Sequence, residues 1–212
     1  MRPRGSISLR LGLVAAIAYF VAHSFGWDAL ALLMKPMPVL CLLAFLLPVR
    51  NRDAALIAVG LVLSALGDVL LAASPALFLP GLVAFLLAHV AYVVAYLGRT
   101  GRMQLPRLMP VALFSAAAFH LLEPHLGAMR GPVIAYMVVI SMMLWRAMAT
   151  IGADGTGGLR PWLATIGAWM FAVSDLMVAW SRFVDPEAGL QVPLMLLYWA
   201  GQTAIASSTR RD

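Results

Sequence analysis

Two aspartates interrupt apolar runs that carry no opposite charge beside them: Asp68 in LSALGDVLLA (63–72) and Asp175 in FAVSDLMVAW (171–180). A carboxyl group can give a proton to a substrate or take one from water. Two carboxyls in one low-dielectric site do not both ionise readily, so such a pair supplies an acid and a base together. Lys35, in MKPMP, is a third ionisable group inside an apolar run. Other polar residues fall at helical spacing. Ser64 and Asp68 are i, i+4; His89 and Tyr92 are i, i+3; Tyr198 and Gln202 are i, i+4. Each pair therefore projects from one helix face. Tyr136 and Ser174 add hydroxyls. The expectation is one interior site with Asp68 and Asp175 as catalytic residues. Lys35, Ser64, His89, Tyr92, Tyr136, Ser174, Tyr198 and Gln202 are its expected substrate-binding residues. The plainer readings are helix-to-helix bridging for a lone aspartate or His89, snorkelling for Lys35, and packing for the hydroxyls. Cys41 is the single cysteine, and no Cys/His spacing of a metal centre occurs, so neither metal nor cofactor is expected.

The medium makes these residues unusual. The chain has 212 residues, 63% hydrophobic and 11% charged, with mean hydropathy +0.92. A soluble domain carries about 25% charged residues. The composition is that of a membrane protein, and a charge at the centre of a membrane helix costs about 2.5–3.5 kcal/mol on the insertion scale. The net charge of +6 would suggest nucleic acid in a soluble protein. Here the basic residues sit between apolar runs, so bilayer orientation accounts for them and no nucleic-acid partner is expected.

Eight runs are long enough to span: about 8–25, 28–48, 53–73, 76–98, 107–123, 128–150, 160–182 and 188–208. The breaks carry turn or charge signals, among them RNRD at 50–53, ASPA at 73–76 and DPEAG at 185–189. No loop is long enough to be a domain. The expected fold is all-α, a single polytopic membrane bundle over 1–212 with about eight transmembrane helices. With both termini in the cytoplasm, Arg2, Arg4, Arg10, Arg50, Arg52, Arg99, Arg102, Arg107, Arg146, Arg160, Arg210 and Arg211 fall inside, and Arg130 and Arg182 outside. That asymmetry fits the positive-inside rule. Both aspartates then lie about 15 residues into outward-running spans, at similar depth by the helical rise. Aligning Asp68 with Asp175 also aligns Gly60 with Gly167. This spacing would suit a duplicated four-helix unit.

Taken in order, Lys35–Pro36, SALGD (64–68), GLVAFLLAHVAY (81–92), GAWMFAVSD (167–175) and YWAGQ (198–202) resemble the motifs of the YhhN-like lysoplasmalogenase family. The resemblance extends over essentially the whole chain. It implies an eight-span membrane hydrolase that cleaves the vinyl ether bond of a lysoplasmalogen. The products would be a fatty aldehyde and glycerophosphoethanolamine or glycerophosphocholine. By resemblance, Asp68 and Asp175 match the family's acidic positions. Lys35, His89, Tyr92, Ser174 and Gln202 match its other polar positions. The implied partner is a lysophospholipid entering from the bilayer, and the expected location is a bacterial inner (plasma) membrane. Three alternatives stand beside this reading: a hydrolase of another ether or ester lysolipid, a small proton-coupled transporter, and a non-catalytic lipid-binding protein.

Overall fold

The computed structural model describes residues 3–153 and 158–209. Arg2, Arg210, Arg211 and the side chain of Arg4, all used in the orientation count, lie outside the described residues, as do positions 154–157. The described residues form nine α-helices, joined by loops and single 3-10 turns, and no strand. They are α1 (Pro3–Ser24), α2 (Asp28–Met34), α3 (Met37–Leu46), α4 (Arg52–Ala73), α5 (Phe78–Arg99), α6 (Leu108–Leu122), α7 (Arg130–Ala149), α8 (Arg160–Phe183) and α9 (Gln191–Ser207).

Seven stretches are long and apolar enough to cross a membrane, and α2 with α3 count as one of them. Large apolar side chains stand exposed along α1 and α6, including Leu13, Val14, Met109 and Leu113, each more than 60% exposed. In water such a surface would drive aggregation; in a bilayer, lipid covers it. The chain is an all-α integral membrane protein. The last expected span, 188–208, is the helix α9. Its 17 residues are fewer than in any of the other seven stretches, which run 19–25 residues with their adjoining turns.

The chain divides into two compact units, one up to Tyr92 and one from Val93. In the first unit, α1 packs on α2 and α3, and α3 packs on α4. The second expected span is broken. α2 stops at Met34 and α3 starts at Met37, because Pro36 and Pro38 have no N–H to continue the ladder. Lys35 sits at this break, its N–H still donating to the Ala31 carbonyl. α4 starts where Asn51 caps it: its side-chain oxygen accepts from the Ala54 N–H at 2.8 Å. Asp53 in the first turn complements the helix dipole.

In the second unit, α8 packs most extensively on α9 and also packs on α7. Two glycines permit the α8–α9 approach: a Cβ on Gly167 would lie 2.7 Å from the Gly201 carbonyl oxygen. Phe171 meets the Tyr198 ring edge-on at 5.2 Å between centroids, and Ser174 Oγ donates to the Leu194 carbonyl at 2.9 Å. These three contacts share one antiparallel register.

One end of the second unit gathers arginines on backbone carbonyls. Arg146 is wholly buried. It donates from Nη1 to the Arg102 carbonyl at 3.0 Å and from Nη2 to the Thr100 carbonyl. Arg107 donates to the carbonyls of Met148, in the last turn of α7, and Ile151, just past its end. Arg99 donates to Ser208 Oγ and Arg160 to the Ser208 carbonyl, both at 3.0 Å. The last carbonyls of a helix have no partner within it, and cations placed there also complement its dipole. Replacing Arg146 with Met strips the Thr100 and Arg102 carbonyls of their donors. We expect a loss of about 1–3 kcal/mol, read as a lower thermal midpoint in detergent. Arg146→Lys should recover only part of it, because an ammonium lacks the guanidinium fork, and Arg10→Met on the exposed face of α1 should leave the midpoint unchanged.

Candidate functional site

The candidate residues form two sets, one about each aspartate. Lys35, Ser64, Asp68, His89 and Tyr92 belong to the first unit. Tyr136, Ser174, Asp175, Tyr198 and Gln202 belong to the second.

The first set is built by α4 against α5. Small residues on α4 let aromatic rings of α5 lie on its backbone. A Cβ on Gly60 would fall 2.0 Å from Tyr92 Cε1, and one on Gly67 would fall 2.6 Å from the Phe85 ring. The two contacts share one antiparallel register, which sets Ser64 level with Ala88, one residue before His89, and places Asp68 one helical turn beyond. Ser64, His89 and Tyr92 are fully buried and Asp68 is 2% exposed. Ser64 Oγ makes no hydrogen bond among the described residues. Lys35, half-buried at the helix break, interacts electrostatically with Asp68. The break therefore sets an amine within electrostatic range of the carboxyl group, which the apolar run lacked.

The second set is built by α7, α8 and α9. Tyr136 on α7 donates its hydroxyl to Asp175 Oδ2 on α8 at 2.6 Å. With Asp175 ionised this bond is charge-assisted, shorter and stronger than a neutral one. Tyr136 is buried and Asp175 half-buried. Beside them lies an apolar cluster of Leu122, Leu126 and Val133, against which Met137 and Leu176 pack. Ser174, expected to meet substrate, spends its hydrogen on Leu194. Tyr198 lies against Phe171, one turn before Asp175, and Gln202 is fully buried. Among the described residues, no three His, Cys, Asp or Glu side chains come close enough to share a metal ion.

Sequence reasoning passed over Gly67 and Phe171, which seat Phe85 and Tyr198. It also counted Arg146 only for orientation. The signal for Arg146 was its place one turn before the end of an apolar helix, where a charge must find carbonyls or reach water.

The model of the YhhN family matches residues 30–209, a range that contains all ten candidate residues. The chain belongs to the YhhN family. This YhhN-family chain is 34% identical to the bovine (Bos taurus) protein named lysoplasmalogenase TMEM86A, over 92% of this chain and 85% of that one. It is 32% identical to human TMEM86A over the same shares, and 36% identical to human lysoplasmalogenase TMEM86B over 86% of this chain and 76% of the relative. No solved structure matches it.

The Gly60–Tyr92 contact can be tested on the protein itself. Gly60→Ala forces the Tyr92 ring from its seat and should destabilise the protein by about 1–3 kcal/mol. Tyr92→Leu in the same chain makes room for the new methyl. Denaturant or thermal unfolding of the double variant should therefore show less than the summed loss of the two single ones.

Proposed function

We propose that this protein is a lysoplasmalogenase. It hydrolyses the vinyl ether bond of a lysoplasmalogen drawn from the bilayer, releasing a fatty aldehyde and glycerophosphoethanolamine or glycerophosphocholine. The observation that carries the proposal is the similarity, over most of both chains, to proteins named lysoplasmalogenase. The two intramembrane carboxylates supply the chemistry. A proton goes from a carboxylic acid to the vinyl carbon remote from the ether oxygen. The π electrons form the new C–H bond, leaving an oxocarbenium ion. Water adds to that ion and loses a proton to a base. The resulting hemiacetal breaks its bond to the glycerol oxygen, which leaves as the alcohol, and the aldehyde remains.

One of Asp68 and Asp175 is the acid and the other activates water. Three features support these roles. Asp68 is buried in an apolar helix with Lys35 as its electrostatic partner. Asp175 is held by a tyrosine. Ser64, His89 and Gln202 are fully buried polar side chains able to orient water or a glycerol oxygen. The arginine distribution supports both termini in the cytoplasm; the location proposed with it is a bacterial inner membrane.

Purified protein mixed with lysoplasmenylethanolamine should release aldehyde. Asp68→Asn and Asp175→Asn should each lower kcat by about 10²–10⁴-fold, the range for loss of general acid–base catalysis. Full activity in both variants would remove the aspartates from the mechanism. Release of glycerophosphoethanolamine from ester lysolipids, with none from the vinyl ether, would replace the substrate class.

A further inference from the structure

Tyr136 entered as a substrate-binding candidate, yet its hydroxyl is committed to Asp175 Oδ2 at 2.6 Å. The position of that hydroxyl is set by packing. The ring is 8% exposed, and its α7 neighbours Val133 and Met137 share an apolar cluster with Leu176, the residue after Asp175. A tyrosine has two side-chain torsions, so fixing the ring fixes where its oxygen lies. α8 is held in turn by α9, through Ser174 to the Leu194 carbonyl and through the Gly167–Gly201 approach. Both ends of the Tyr136–Asp175 bond therefore rest on packed helices.

We propose that Tyr136 is a positioning residue for Asp175: by donating to Oδ2 it fixes the carboxylate plane and confines proton transfer to Oδ1. This inference rests on the lysoplasmalogenase reading above. In a carboxylic acid the carbonyl oxygen accepts a hydrogen bond better than the hydroxyl oxygen, so a phenol donating to Oδ2 favours that oxygen as the carbonyl and an acid proton on Oδ1. If Asp175 is the acid, the O–H bond at Oδ1 breaks as the C–H bond to the vinyl carbon forms. If it is the base, Oδ1 takes the proton that water loses on adding to the oxocarbenium carbon. In either role the reacting oxygen is the same, and the tyrosine itself neither gains nor loses a proton.

Tyr136→Phe keeps the ring and removes the bond. Steady-state aldehyde release from lysoplasmenylethanolamine should show kcat reduced about ten- to a hundredfold, the scale of a misplaced reacting group. KM should stay within about twofold, since no substrate contact is lost. Site-specific 3-fluorotyrosine at the same position retains the hydroxyl and should restore kcat, which a role in packing alone would not require. Should the Phe variant fail to fold, Asp175→Glu carries the test: its carboxylate moves off the phenol, and kcat should fall with KM held. A raised KM with unchanged kcat in the Phe variant would return Tyr136 to substrate binding and overturn the inference. Unchanged kcat and KM in the Phe variant, or unchanged kcat in Asp175→Glu, would overturn it as well. No aldehyde from folded wild type would instead overturn the lysoplasmalogenase reading beneath it.

Discussion

In hydrocarbon there is no water to satisfy a polar group, so each carboxylate, cation and carbonyl must find its partner within the protein. Most features of this structure answer that constraint. Asp68 has a lysine brought within electrostatic reach where two prolines end a helix. Asp175 has a phenol from the neighbouring helix. The partners differ in kind. An ammonium acts over distance and on the carboxylate as a whole, whereas a phenol O–H acts at one oxygen and fixes an orientation. Asp68 and Asp175 look alike in sequence, yet these two contacts on them differ in kind.

The same constraint explains the arginines of the second unit. Charge asymmetry across the bilayer requires only that they lie on one side. The structure uses them further. Arg146, Arg107 and Arg160 donate to carbonyls in loops and at helix ends, and Arg99 donates to Ser208 Oγ beside them. The loop from Thr100 to Arg107 is thereby tied to α7, with Trp145 adding a bond from its indole N–H to the Gln104 carbonyl. Arginines gathered at one end of the unit thus close the ends of its helices.

Glycine has two uses in the packing. Gly60 and Gly67 give up side chains so that rings of α5 can lie on α4, which sets the register that brings Ser64 within one residue of His89's level. Gly167 and Gly201 bring two backbones together and set the register that fixes Ser174 on Leu194. The equal spacing of Gly60 from Asp68 and of Gly167 from Asp175, which suggested a duplicated unit, thus joins two different contacts: glycine against a ring, and glycine against glycine.

The sequence by itself determined the membrane class and the helical fold. Hydropathy and helical period are local properties, written in windows of about 20 residues. It also marked out the charged residues, since a charge is costly in hydrocarbon wherever it points. Only the tertiary structure decided who meets whom. Tyr136 and Asp175 lie 39 positions apart and Arg146 and Thr100 lie 46 apart. Nothing in either local pattern names the other. Those pairings follow from helix register and close approach, which depend on how particular side chains interlock across helices. For the same reason the bond from Ser174 Oγ to the Leu194 carbonyl of α9 could not be read from its place beside Asp175.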